Sequence, residues 1–156
     1  MDTDIIKRYD DGERVFSQEN LYQAKLAGAG LSGANLHEAN LYEADLSGAD
    51  LSYCDLRRAN LCGANLRGAN LTGADLTQAN LHLADATDAI FEGACIVEAN
   101  TYQTIGRERI EQQAVRSVDW TPPAELRQAR VIRELKEVGL ADVAAAVESV
   151  AVKWEK

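Results

Sequence analysis

The chain has 156 residues, a formal net charge of −9 and a sequence pI of about 4.7. That length suits one domain, or one domain with an appendage. The acid excess argues against a nucleic-acid phosphate binder, which carries clustered Lys and Arg, and leaves room for a protein that meets basic partners. No apolar run approaches the roughly 18 residues of a membrane span. The opening MDTDIIKRYDDGER has no apolar core of the kind a signal peptide needs. Cys54, Cys62 and Cys95 are odd in number and lack CxxC spacing, so free thiols in a reducing cytoplasm are expected.

Residues 1–15 predict a short N-terminal helical cap. Asp2 or Asp4 could cap it, Ile5, Ile6 and Tyr9 give an apolar edge, and Gly12 could end it. From Phe16 a five-residue phase sets in, and leucine then stands at Leu21, Leu26, Leu31, Leu36, Leu41, Leu46, Leu51, Leu56, Leu61, Leu66, Leu71, Leu76 and Leu81. Alanine stands two residues before Leu26 and most of its successors, with Cys54 in that place before Leu56. On an α-helix a five-residue step turns about 140° net, which smears the leucines around the axis. On a flat strand an odd step throws successive leucines to opposite faces. A short fixed period that suits neither points to a solenoid.

Ala and Leu two apart share a face in an extended segment, and the polar residue between them points out. The two residues after Leu must then turn a corner. Gly28, Gly33, Gly48, Gly63, Gly68, Gly73 and Gly93 all fall on the second of these, where positive φ is useful. Four such corners close a coil in about 20 residues, and the outward residues support that number. Asn20, Asn40, Asn60, Asn80 and Asn100 share one column at that interval, as an amide ladder on coils stacked about 4.8 Å apart would require. A second column holds Tyr22, Tyr42, Cys62, His82 and Tyr102. A third holds Gln18, Glu38, Arg58, Gln78 and Glu98, with Glu38 and Arg58 set for an ion pair between neighbouring coils.

The units ANLHE, ANLYE, ADLSG, ANLCG, ANLRG, ANLTG and ADLTQ resemble the pentapeptide-repeat family, whose motif is A-(D/N)-L-x-x. The resemblance covers residues 16–101 and implies a right-handed quadrilateral β-helix of about four coils. Right-handedness also agrees with the usual hand of parallel β connections. The opening IIKRYDDGERVF is similar to that of cyanobacterial members. The expected interior is the leucine run with Phe91 and Ile96 continuing its phase beyond Leu81, and Thr101 ending it. Ile90, Cys95 and Leu83 are apolar at outward or corner positions, which suggests that something covers the last coil.

Residues 102–156 change character and predict a C-terminal helical cap or hairpin. Residues 104–120 read as a helix or partly helical connector, with Ile110, Ala114, Val115 and Val118 on one side. Thr121 and Pro122 start a helix running to about Val138, and Gly139 ends it. A last helix carries Leu140, Val143, Ala144, Val147 and Trp154 at amphipathic spacing. These helices could cover the open end of the solenoid, dimerise, or recruit a partner.

No residue pattern calls for catalysis, a metal or a cofactor. Asp45, Asp50, Asp55, Asp75 and Asp85 occupy the motif's outward position, where solvated or turn-bonding side chains are the ordinary reading. His37 and His82 lie on different sides, and neither has a Cys or Asp at ligand spacing. Cys54 belongs inside and Cys62 outside. A non-catalytic interaction scaffold, binding an unidentified protein in a regulatory or protective role, is therefore expected. Tyr22, Tyr42, His82, Tyr102 and Trp154 are its candidate contact residues, without direct nucleic-acid or membrane binding, as a monomer or a dimer through the C-terminal helices. The resemblance also raises an alternative: acidic members act on DNA gyrase by mimicking DNA, although Arg57, Arg58 and Arg67 interrupt the acidic surface here.

Overall fold

A computed structural model describes residues 3–114. Among the described residues two helices, α1 (Thr3–Asp10) and α2 (Arg107–Gln113), stand at the two ends of a parallel β-solenoid. Val115, Val118, the two expected helices beyond Thr121, and Trp154 lie outside the described residues.

Every bridge in the solenoid joins residues twenty apart, and all are parallel, from Val15 with Asn35 to Asp85 with Ile105. Four columns of bridges run up the coil, through Asn20, Lys25, Gly30 and Val15, so each coil has four faces. Each face contributes one bridged residue per coil rather than a long strand, because a turn every five residues leaves little extended chain between corners. The amide of each leucine donates to the next coil, as Leu41 does to the Asn60 carbonyl at 2.8 Å. The outward residue donates to the coil before, as Asn60 does to the Ala39 carbonyl at 3.0 Å.

The corners are turns closed by a bond from each Ala amide to the preceding Leu carbonyl, such as Ala44 to Leu41 at 3.0 Å. Their third residue has positive φ throughout, the conformation that favours Gly or Asn in a type II turn. Glycine fills only seven of these corners. Eleven carry Gln, Glu, Tyr, Arg, Leu or Asp, with φ between 53° and 60°.

The interior is the one the repeat encodes. Leu26 to Leu81 in phase are fully buried, as are Phe16, Phe91 and the alanines from Ala34 to Ala84, and Ile96 is 3% exposed. The small Ala86 and the large Phe91 are both buried one step apart, a trade that holds interior volume nearly constant. Two residues break the alanine rule in the same way. The Cys54 thiol donates to the Leu31 carbonyl at 3.0 Å, and the Thr104 hydroxyl donates to the Leu81 carbonyl at 2.6 Å. Each larger side chain thus keeps its polar atom satisfied in an apolar interior. Burial pushes the Cys54 thiol pKa up to about 12, which makes it an inert core group.

A short helix packs on each end of the described solenoid. α1 buries Ile5 and packs Ile6 and Tyr9 against the first coil. The Tyr9 hydroxyl donates to the Ser32 carbonyl at 2.7 Å. Gly12, at φ 99°, stops α1: its amide bonds to Tyr9 and that of Glu13 bonds to Arg8, the paired bonds of a Schellman cap.

At the other end the interior continues beyond Thr101. Thr104 is buried, the ladder reaches Ile105, and Ile110 of α2 is fully buried in the core cluster. Among the described residues no further coil receives the last amides, and α2 supplies acceptors. The Gln113 side-chain oxygen accepts from Phe91 at 2.9 Å and the Gln113 carbonyl accepts from Gly93 at 3.2 Å. Among the described residues Ile90 and Leu83 stand on the sides of the prism, 43% and 54% exposed, whereas Cys95 is buried.

Candidate interaction surface

With the interior apolar, the chemistry of the described residues lies on four outward faces and their corners. The face through Asn20 carries the amide ladder. Asn40, Asn60, Asn80 and Asn100 each donate from Nδ2 to the Oδ1 of the Asn twenty residues earlier, at 3.0, 3.4, 3.3 and 3.0 Å respectively. Each Oδ1 also accepts from the backbone amide two residues on, as Asn80 does from His82 at 3.1 Å. The side chain therefore ties its own corner and the neighbouring coil together.

Beside this ladder runs the aromatic column. Tyr22 and Tyr42 stack with centroids 5.8 Å apart and planes 13° from parallel. His82 and Tyr102 stack at 5.5 Å and 8°, and His82 Nδ1 lies 2.9 Å from the Tyr102 carbonyl oxygen. Cys62 separates the two pairs. The negative charge of Glu43 raises the Tyr42 pKa above the ordinary phenol value.

The corner column beside the ladder is bonded along its whole length. Gln18 donates to Glu38 at 2.9 Å, Arg58 donates to Glu38 at 3.1 Å and to Gln78 at 2.9 Å, and Gln78 donates to Glu98 at 2.6 Å. The bonds from Gln18 and then Arg58 hold the Glu38 carboxyl below its usual range.

The aspartates behave as turn-builders. Asp45, Asp75 and Asp85 each accept from both the hydroxyl and the backbone amide of the residue two on: Ser47, Thr77 and Thr87. Those bonds, hydroxyl first, hold Asp45 and Asp85 below the ordinary carboxylate range, and Arg67 adds to the effect at Asp85 from 2.9 Å. Asp55 and Asp75 are nearly buried on successive coils. The Arg57 fork meets Asp55 at 2.8 and 2.7 Å and reaches Asp75 at 4.0 Å, so a cation sits beside both carboxylates. Thus Arg57, Arg58 and Arg67 all lie against carboxylates.

His37 and His82 stand on different faces, and no group of three or more His, Cys, Asp or Glu among the described residues is arranged to hold a metal ion. No helix among those residues is long and apolar enough to cross a membrane.

The family model for pentapeptide repeats matches residues 16–52 and 64–100 in eight copies. The solved pentapeptide-repeat protein alr5209 from Nostoc PCC 7120 is 32% identical over 74% of this chain and 94% of its own, with a TM-score of 0.68. This chain belongs to the pentapeptide-repeat family. The family fold is a right-handed quadrilateral β-helix, in keeping with the four bridge columns above.

Two further solved pentapeptide-repeat proteins are similar. HetL of Nostoc sp. strain PCC 7120, described as involved in heterocyst differentiation regulation, is 34% identical over 65% of this chain, with a TM-score of 0.54. This chain spans only 45% of HetL. AT2G44920 from the Arabidopsis thaliana thylakoid lumen is 29% identical over 76% of this chain and 84% of its own, with a TM-score of 0.54. No curated protein gives a significant sequence match.

Proposed function

We propose that this pentapeptide-repeat protein is a non-catalytic scaffold that binds another protein through its outward columns. The observation that carries the reading is the internal satisfaction of those columns. Amides, carboxylates and hydroxyls are bonded to their own turns or to the neighbouring coil. Such a surface has a fixed pattern and little side-chain entropy left to lose on binding, which favours recognition. Acid–base catalysis would instead call for groups converging on a shared cleft. The likeness to HetL supports a regulatory role as the kind of use to which such a prism can be put, and free thiols fit a reducing compartment such as the cytoplasm.

A DNA-mimicking role would draw on the same acidity. It is less favoured, because Arg57, Arg58 and Arg67 sit among the carboxylates and break up the negative field. Affinity capture from native cell extract tests the reading, using the full chain and a chain lacking residues 121–156. A protein held by both places binding on the prism. Loss with the shortened chain moves binding to the C-terminal residues. Capture of DNA gyrase, with inhibition of its supercoiling at micromolar protein, would favour the mimic instead.

A further inference from the structure

The aromatic column has a gap at its middle rung. Tyr22 and Tyr42 form an offset stack below it, and His82 and Tyr102 form another above it, each at a separation usual for paired rings. Between them the rung carries Cys62, followed at the corner by Gly63. The other rungs place Tyr or His on the face, followed by Gln, Glu or Leu at the corner. The third rung is thus a notch, bordered by Tyr42 on one side and His82 on the other, about 10 Å apart at two coil spacings. Its corner residue has no side chain of its own, and the Glu43 side chain lies against it, with Cγ 3.3 Å from where a Cβ on Gly63 would stand. A ring placed there would stand about 5 Å from each neighbour, near the 5.8 and 5.5 Å of the existing stacks.

We propose that this notch receives a planar aromatic side chain, Trp or Tyr, from a basic segment of a protein partner. The proposal rests on the scaffold reading and names the contact by which such a partner would be recognised. The flanking rings specify a flat guest, since an aliphatic side chain fills volume but cannot stack on both sides. The bordering charges specify its neighbours: on the two corner columns beside this face Arg58 pairs with Glu38 at 3.1 Å, and Glu43 and Glu98 remain as the carboxylate excess. A nucleobase is also flat, but its phosphates would meet those carboxylates and a chain of net charge −9.

The probe is N-acetyl-Arg-Trp-Arg-amide, titrated into the full chain and followed by backbone amide NMR shifts, with N-acetyl-Arg-Leu-Arg-amide as control. The expected result is a saturable shift centred on Tyr42, Cys62, Gly63 and His82, with the Leu peptide binding about ten-fold more weakly. Cys62→Tyr fills the notch with a residue the column already accepts, so it should keep the fold and weaken binding at least ten-fold. If Cys62→Tyr does not fold, Tyr42→Ala serves in its place, with a several-fold loss expected. No saturable shift, shifts centred elsewhere, equal binding of the two peptides, or undiminished binding by the folded variant would each overturn the proposal. A native partner captured equally by wild type and Cys62→Tyr would sink the notch and leave the scaffold reading standing. Capture of no partner by the wild type would count against the scaffold reading itself.

Discussion

Asn60 serves three bonds with one amide. Its Oδ1 accepts from the Cys62 amide and from Asn80 Nδ2, while its own Nδ2 donates to Asn40. Aspartate could keep the two accepted bonds and would lose the donated one. Asn60→Asp should therefore cost about 1 kcal/mol, the usual net worth of one such bond. Asn20 stands at the N-terminal end of the ladder, where its Oδ1 accepts from Asn40 and from Tyr22. Asn20→Asp should be nearly neutral. Urea unfolding of both variants checks the contrast, and equal losses would show that the ladder has no polarity in energy.

Corner residues carry a different strain. Leu83 is exposed, yet it holds φ at 60°, where a Cβ is unfavourable. Leu83→Gly should raise stability by no more than about 1 kcal/mol, because glycine also gains freedom in the unfolded chain. Leu83→Val, β-branched at the same φ, should lower it. Thermal melts giving the order Gly, Leu, Val would agree, whereas Val matching Leu would contradict the strain.

The carboxylates give the acid response. Asp45 and Asp85 have folded pKa values depressed by their hydroxyl and amide donors. Their stabilisation is present above the unfolded value of about 3.9 and is lost as pH falls through the lower folded value. Melting temperature should hold from neutral pH to about pH 5 and fall below about pH 4. Asp85→Asn, which keeps the acceptor for Thr87, should make that fall shallower. An unchanged acid limb would assign the loss to other groups.

At the scale of the element, α2 replaces the coil that would otherwise follow. Gly106 makes the exit from the ladder possible: its φ is 81°, and a Cβ there would stand 2.8 Å from the Ala86 carbonyl oxygen. Gly106→Ala should loosen α2 at a cost of about 2–3 kcal/mol, combining positive-φ strain with a backbone collision. Hydrogen exchange reads this locally, because the amides of Phe91 and Gly93 rely on Gln113. Faster exchange at those two amides, with Leu41 and Leu46 unchanged, is the expected pattern. Uniform acceleration would mean that α2 is not a separate cap.

The repeat made much of this legible in advance. Leucine and alanine recur at every coil, so the interior, the twenty-residue period and the Asn ladder each leave many copies of one signal. Single occurrences leave none. Nothing in the five-residue pattern marks Gln113 as the acceptor for two stranded amides, or Thr104 as a buried hydroxyl aimed at Leu81. The glycines pointed to positive φ at the corners, but not to the same geometry at Arg58, Tyr53 or Leu83. There the coil-to-coil hydrogen bonds override local preference, as tertiary context does whenever a turn is pinned on both sides. The notch at Cys62 was equally quiet, since its meaning depends on rings twenty residues away in both directions.

At the scale of the whole molecule, the twenty-residue coil should be the unit of stability, above the five-residue motif. Two deletions separate these levels. Removing residues 41–60 takes out one full coil and returns Asn80 to the column of Asn40. Removing residues 41–55 keeps the five-residue phase and the leucine interior but turns every later face by one side, placing Asp75 above Asn40 and breaking the ladder. Thermal unfolding of the two deletion variants, each keeping the rest of the chain and followed by far-ultraviolet circular dichroism, is the most direct measurement. The larger deletion should give the higher melting temperature, with one cooperative transition. A chain lacking residues 41–55 that melts as high, or higher, would contradict the twenty-residue coil as the unit that holds this protein together.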